Sequence, residues 1–428
     1  MIATAAAFLA LMLAGIPIVI ALGAAMTVFL LVTGAAPIEV MAHRFYSGLN
    51  SFTLLAIPFF VLSGLLMEAG GLSRRIVDFA DALIGWVRGG LLMVAVFAAT
   101  LLAAMSGSGS ADTAAVSTVL QPELRRRKYD IDFSAALIAS AATTAQVIPP
   151  SLMLVIIAVQ NNLSVGALFL AGILPGLLCS LLLMVVAYHH ARRNTEIVAT
   201  VDRFDIRRVG RTFLAAVPAL GMAVIILGGI LGGFMTPTEA AGSSVVYALV
   251  VGILVYRELG LAAIARVFVR AAVYSAGLLL LVGTANIFNW LVADSGVLED
   301  LGAFLGETLT SKLAFLVAVN IMLMILGMFI EGIAIILLLG SILISLGAAL
   351  GIDPNHMAVV IVLNCAIGLI TPPFGATLFV AAMVIDRPFE AIARRVGLPW
   401  AALAVALAVT TAFPDVALFL PRTFGFVT

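Results

Sequence analysis

Charge is what this sequence has least of. Only 10% of its 428 residues are Asp, Glu, Lys or Arg, against about a quarter in an ordinary soluble domain. A soluble surface of this size would need far more charge, so the solvent for most of the chain must be lipid. The 22 basic and 22 acidic residues cancel; no basic face invites nucleic acid and no acidic tail offers a docking arm. Cysteine is scarcer still. Cys179 and Cys365 are each embedded in apolar runs, which leaves neither a disulfide framework nor a zinc spacing. Both are expected to be inert small hydrophobes. His43, His189, His190 and His356 form no ligand set, and His189-His190 beside Arg192 and Arg193 is the pattern of a helix end. No His-Glu-x-x-His, no paired membrane aspartates and no Gly-x-Ser-x-Gly with a histidine is present, which counts against an intramembrane enzyme.

What is present is hydrocarbon. Hydrophobic residues make up 63% of the chain and the mean hydropathy is +1.23. A membrane-spanning helix needs about 18 apolar residues or more. The first half offers the runs Ala5–Val32, Phe52–Met67, Gly89–Met105, Ala135–Val159 and Ala167–Tyr188. The second half offers Phe213–Phe234, Ala240–Tyr256, Ala271–Val292, Leu313–Ile330, Ala334–Leu350, Ala358–Ile385 and Pro399–Ala412. Met1–Ala21 lacks the basic start of a signal peptide and runs on to about Val32, so it reads as a retained membrane helix, divisible at Gly15-Ile16-Pro17. The amphipathic stretches Ile38–Leu49, Leu259–Ala272 and Phe389–Val396 are too short to cross and are expected to lie along the interface.

Arginine sets orientation. Arg74, Arg75, Arg88, the run Arg125–Lys128, the arginines of 192–211, and Arg257, Arg266, Arg270, Arg387, Arg394 and Arg395 are placed cytoplasmic. The links Gln160–Val165, Met235–Glu239 and Asp294–Glu307 contain no Lys or Arg and are placed periplasmic, as are both termini. For Arg88 and Arg125–Lys128 to share a side, the segment between them must enter the membrane and return. Lys312–Asp353 must do the same from the opposite face. Sliding the chain against itself by 223 residues pairs Met105 with Met328, Gly109 with Gly332, Asp130 with Asp353 and Pro149-Pro150 with Pro372-Pro373, without a gap. The expected fold is therefore an all-α polytopic membrane protein built as an inverted structural repeat with two re-entrant helical hairpins and two broken helices. The first repeat covers 1–190, with its hairpin at about 89–128 and its broken helix at about 131–160. A cytoplasmic linker follows at 191–211. The second repeat covers 212–428, with its hairpin at about 312–352 and its broken helix at about 355–385.

Four irregular places interrupt the hydrocarbon. Ser106-Gly107-Ser108-Gly109-Ser110 leaves the helix because glycine favours other conformations and serine competes for backbone hydrogen bonds. In Thr143-Thr144-Ala145-Gln146-Val147-Ile148-Pro149-Pro150-Ser151 the prolines remove two N–H donors, leaving carbonyls near Thr144 to Val147 available to a cation. The second half repeats the plan as Gly327-Met328-Phe329-Ile330-Glu331-Gly332 and Gly368-Leu369-Ile370-Thr371-Pro372-Pro373-Phe374-Gly375, with the Thr377 hydroxyl just beyond. Irregular backbone survives at membrane depth only against protein or a water-filled cavity. Carbonyl and hydroxyl oxygens suit a hard cation, so two matched clefts imply two sodium sites, and opposed half-helix N-termini would attract an anion between them. No transition-metal site and no organic cofactor is expected. Asp112 and Glu331 stand beside the two tips, either coordinating an ion, lending polarity to a substrate cavity, or capping the adjacent helix; capping is the preferred reading for Asp112. Glu239 in Thr236-Pro237-Thr238-Glu239 fits a helix start. Asn286, Asn289 and Asn364 are polar residues within spans that can bond across helices or face a cavity.

The strings Ser106–Asp112, Gln146–Ser151, Met235–Ala241 and Thr371–Gly375 resemble the large permease subunit of tripartite ATP-independent periplasmic (TRAP) transporters, and the resemblance runs in order along nearly the whole chain. It implies membership of the wider ion-transporter superfamily and an elevator mechanism, in which the hairpins and broken helices slide against a scaffold of the remaining helices. It further implies import of small organic acids across the bacterial inner membrane, coupled to a sodium gradient, with a small four-helix membrane subunit and a periplasmic substrate-binding protein as partners. The resemblance places one sodium site at Ser106, Gly107, Ser108, Gly109 and Ser110 with Thr143, Thr144, Val147 and Pro149. It places the other at Gly327, Glu331 and Gly332 with Gly368, Thr371, Pro372 and Thr377. The spans present leave no room for a fused small subunit, so a separate polypeptide is expected. The rival readings are a stand-alone sodium/dicarboxylate carrier of the same superfamily and a channel.

Overall fold

The computed structural model describes residues 7–8, 10–11, 14–34, 36–87, 89–193, 204–296 and 311–427. The expected link Asp294–Glu307 and the middle of the linker 191–211 lie largely outside these. The described chain is helical throughout its ordered elements. The first half contains α1 (Ile18–Thr33), α2 (Glu39–Leu49), α3 (Ala56–Ala69), α4 (Leu72–Ile84), α5 (Gly90–Ser106), α6 (Gly109–Arg126), α7 (Ile131–Ala142), α8 (Leu152–Gln160) and α9 (Val165–Arg193). The second contains α10 (Ile206–Leu231), α11 (Pro237–Val250), α12 (Leu261–Asp294), α13 (Lys312–Gly327), α14 (Gly332–Ala349), α15 (Pro354–Gly368), α16 (Ala376–Ile385), α17 (Phe389–Ala393), α18 (Gly397–Ala412) and α19 (Asp415–Thr423). Among the described residues, 6 helices are long and apolar enough to cross a membrane, or 7 with α18 and α19 counted as one span bent by 61°. The chain is a multi-pass, all-α membrane protein.

Local chemistry explains where helices start. Asp130 and Asp353, partners in the 223-residue register, cap α7 and α15 through Phe133 N–H at 3.1 Å and Asn355 N–H at 2.7 Å. Each acid occupies the N-cap, where a side-chain oxygen satisfies an otherwise orphaned donor. Thr236 and Glu239 form a reciprocal capping box at α11, with Pro237 in its first turn, as expected for Glu239. α1 begins at Ile18 after a turn at Ala14 and Gly15, so the first apolar run is divided at Gly15-Ile16-Pro17.

One expected boundary is absent. Leu259–Ala272 is not a separate interfacial helix: α12 runs unbroken for 34 residues. No glycine or proline separates Ala271 from Val273, so nothing stops the helix from continuing into the span. At about 1.5 Å per residue it is roughly 50 Å long, well beyond the ~30 Å hydrocarbon core.

The buried centre belongs to the broken helices. Every residue from Phe133 to Ala158 is buried, as is every residue from His356 to Gly368. Helices apolar on all sides belong inside. The two halves exchange partners there: α16 packs on α6 and α7 of the first half, while α8 packs on α14 of the second. Polar threads cross the same region. Asn364 donates to the Asn320 carbonyl and side-chain oxygen, both at 2.9 Å, and Asn320 donates to Thr411 at 2.9 Å. Asn289 donates to the Leu337 carbonyl at 3.0 Å. Cys179 and Cys365 are buried and unpaired, in keeping with their reading as small hydrophobes.

At one end of this core the halves are clasped. The Ile385 carbonyl, at the end of α16, accepts from Arg125 at 2.7 Å and Gln121 at 3.0 Å, and Arg387 makes a bidentate pair with Asp132 at 2.6 and 2.8 Å. A hydrogen bond from a charged donor to a carbonyl contributes more than a partly exposed ion pair. Arg125→Ala is therefore expected to cost about 1.5–3 kcal/mol and Asp132→Asn less than about 1 kcal/mol, read as thermal unfolding in detergent. Equal losses would place the clasp in the ion pair instead.

Candidate functional site

The first tip is short and held at both ends. α5 stops at Ser106, Gly107 turns the chain with φ +59°, and α6 starts at Gly109. Ser106 Oγ accepts the Ser108 N–H at 3.1 Å, and Ser108 Oγ caps α6 by accepting the Ala111 N–H at 3.4 Å. A Cβ on Gly107 would meet the Pro150 carbonyl at 2.9 Å, so the tip rests directly on the first break. There Thr143–Gln146 coil into a 3-10 turn before the cis Pro149–Pro150 peptide, and α8 begins behind its Ser151 cap. This turn corrects one expectation. The Thr144 carbonyl accepts the Val147 and Ile148 N–H groups at 2.9 and 2.8 Å, and the Gln146 carbonyl accepts the Ser151 hydroxyl. Those two oxygens are engaged because the segment tightens rather than running extended. The Thr143 and Thr144 hydroxyls donate to the Ser140 and Ala141 carbonyls at 2.8 and 2.7 Å.

The second tip meets the second break through glycine. Gly327 ends α13, and a Cβ placed on Gly368 would lie 2.9 Å from the Gly327 Cα. Phe329 of the tip packs edge-on against Phe374 of the break at 6.3 Å. The Thr371 hydroxyl donates to the Ile367 carbonyl at 2.8 Å, and the Thr377 hydroxyl and N–H both donate to the Leu369 carbonyl, at 2.9 and 3.2 Å. Gly375 starts α16 with φ +51°, and Pro372-Pro373 is cis like its mate.

A cavity of about 760 Å³ lies between these parts. The first turns of four helices open onto it: Ser108 and Ser110 at α6, Leu152 and Met153 at α8, Glu331 and Ile333 at α14, and Ala376 at α16. Its other wall is built by α3 and α12, which contribute Glu68, Arg270 and Tyr274. Of the expected site residues, Ser106, Gly107, Ser108, Ser110 and Glu331 line this cavity. Gly109, Thr143, Thr144, Val147 and Pro149 of the first tip and break, and Gly327, Gly332, Gly368, Thr371, Pro372 and Thr377 of the second, do not line it.

The two acids resolve differently. Asp112 is not the cap of α6, because Ser108 holds that place; instead Asp112 is 2% exposed at the cavity edge, and its Oδ2 has no partner. A buried oxygen without a donor is costly. Glu331 occupies the N-cap of α14 but makes no capping hydrogen bond. Glu68, Arg270 and Tyr274 were not anticipated as site residues. Arg270 reads in sequence as one more orienting arginine, and Glu68 as the end of an apolar helix. The signal available was a charge immediately adjoining a span.

Packing at the second tip predicts its tolerance. Gly368→Ala brings a methyl against the Gly327 backbone, and overpacking of this kind costs about 1–3 kcal/mol. Gly228→Ala in α10 meets nothing within 4 Å and should be neutral or slightly stabilising. Thermal unfolding of the two variants checks this; equal stability would mean the tips have slack.

Known proteins carry the same pattern. A family model described as "Tripartite ATP-independent periplasmic transporter, DctM component" matches residues 5–416. The sialic acid TRAP transporter large permease protein SiaM of Vibrio cholerae is 37% identical over 97% of each chain. The C4-dicarboxylate TRAP transporter large permease protein DctM of Pseudomonas aeruginosa is 40% identical over 90% of each. Among solved structures, the Alcanivorax borkumensis YdaH transporter, described as having an unusual topology, superposes with a TM-score of 0.57 at 16% identity, covering 90% of this chain and 87% of that one; it supports the fold alone. With the family model spanning nearly the whole chain and these relatives matched over 90% or more of their length, the protein is a transporter subunit rather than an enzyme, and it belongs to the DctM family of TRAP transporter large permeases.

Proposed function

We propose that this chain is the large inner-membrane subunit of a sodium-driven TRAP importer of small organic acids. The observation that carries this reading is the convergence of four helix N-termini on one cavity between the two tips. Each N-terminus presents partial positive charge and unpaired N–H groups, so together they favour a carboxylate over a neutral solute. The relatives are named for sialic acid, C4-dicarboxylates and 2,3-diketo-L-gulonate, all organic acids. Two hairpins and two broken helices at matching places in the two halves are the sequence pointer to a transporter site at the repeat interface.

Sodium fits the oxygens on offer. The Ser106, Ser108 and Ser110 hydroxyls and the partnerless Asp112 oxygen cluster at the first tip, and the Thr371 and Thr377 hydroxyls gather at the second break with the Ile367 and Leu369 carbonyls they bond. In the proposed cycle, cation binding offsets the acidic charge of Asp112 and Glu331 and brings each tip onto its break. The anion then binds, and the cross-packed unit of hairpins and broken helices moves as an elevator against a frame containing α3 and α12. A periplasmic binding protein delivers the acid, and a small four-helix membrane subunit braces the frame.

Proteoliposomes test the reading. With the small subunit and its binding protein present, uptake of the matched acid, chosen from labelled sialic acid, C4-dicarboxylates and 2,3-diketo-L-gulonate, should require an inward sodium gradient. Uptake by the chain alone would indicate a stand-alone carrier, and uptake indifferent to sodium would remove the coupling. Ser108→Ala and Thr371→Ala should each raise the sodium concentration for half-maximal uptake by about tenfold, the scale of one lost bond to a charged partner, with membrane insertion intact. Unchanged sodium activation in both would refute the ion-site assignment.

A further inference from the structure

The second break contains a polar contact that the first lacks. Thr371 is 7% exposed, and its hydroxyl donates to the Ile367 carbonyl at 2.8 Å. The same oxygen accepts the indole N–H of Trp400 at 3.1 Å. Trp400 stands in the first turn of α18, half-buried and packed against the core. In the 223-residue register the mate of Thr371 is Ile148 and that of Trp400 is Leu177. The first half therefore has neither the hydroxyl nor the donor at these positions.

A hydroxyl has one proton and two lone pairs. Here the proton goes to Ile367 and one lone pair to Trp400, which leaves a single lone pair free. The two bonds together also fix χ1 and the direction of that remaining lone pair. An indole N–H is a donor only, and a partly buried one seeks an acceptor. Other tryptophans in the chain use different means: Trp86 donates to the Leu83 carbonyl of its own helix at 2.9 Å. Trp400 instead reaches 29 residues back to a side chain at the break.

We propose that Trp400 is a positioning residue for the cation site at the second break, holding Thr371 Oγ so that its one free lone pair is presented to sodium. The proposal rests on the sodium reading above. Without the clamp, the hydroxyl must be ordered at the moment the ion binds, and that ordering weakens apparent affinity. Because the first break has no equivalent, the two sodium sites are unequal, and the preorganised second site fills at the lower concentration.

Sodium titration of the purified protein provides a test that needs no substrate. Thermal unfolding is followed against NaCl, with choline chloride holding ionic strength constant, since a ligand bound only by the folded state raises the unfolding temperature. Trp400→Phe keeps the ring and removes the N–H. It should shift the sodium midpoint up by about threefold, the effect of one neutral hydrogen bond, with little change in the sodium-free unfolding temperature. Trp86→Phe should leave the midpoint in place. Thr371→Val, which matches threonine in shape, removes the oxygen itself, and with it the acceptor of the indole N–H, and should move the midpoint at least as far. A sodium-responsive wild type with an unmoved midpoint in Trp400→Phe, or in Thr371→Val should the tryptophan variant not fold, overturns the proposal and makes the contact one of packing alone. A wild type with no sodium-specific response overturns the sodium reading itself, and the positioning role with it.

Discussion

A backbone that leaves its helix inside hydrocarbon must find a partner for every N–H and C=O it releases, and the architecture of this protein follows from that demand. Each of its two broken helices frees polar backbone at its middle. The first is covered on all sides, buried without interruption from Phe133 to Ala158, and its carbonyls turn inward to Val147, Ile148 and Ser151. The second is covered to Gly368 and then opens, with Pro373 and Phe374 exposed. Coverage comes from the other half of the chain. α16 lies on α6 and α7, and α8 lies on α14, so neither half could keep its break in lipid by itself. The same cross-packing joins the breaks of the two halves into one packed unit.

The breaks were legible because glycine, proline and serine interrupt apolar runs too long to be accidental. The caps Asp130 and Asp353 and the box at Thr236 and Glu239 were legible for the same reason: each uses a side chain whose local bond needs only neighbouring residues. What could not be read was anything set by approach between distant segments. Arg270 lies in sequence among cytoplasmic arginines, and only the packing of α12 carries it to the cavity wall beside Glu68. The role of Asp112 failed in the opposite direction. Four residues upstream, Ser108 competes for the same cap, and spacing alone does not say which oxygen wins. The unbroken α12 is a further case. Amphipathicity predicts which face is wet, but it does not end a helix; a breaker does, and none is present between Ala271 and Val273.

The register of 223 residues describes a common plan, and the departures from it show where the two halves have diverged in task. Ser108 caps α6, whereas its mate Glu331 stands at the same place on α14 with its carboxylate left to face the cavity. Ser151 starts α8 with a hydroxyl cap, while α16 begins at Gly375 with no side chain. At tip and break alike, serine caps close the starts of α6 and α8 in the first half, whereas α14 and α16 in the second start without a side-chain cap. A repeated plan gives the chain two related halves, and nothing in that plan requires them to be equal. The asymmetry at Trp400 and Thr371 belongs to the same pattern. Where the first half fills space with Ile148 and Leu177, the second uses two directed hydrogen bonds.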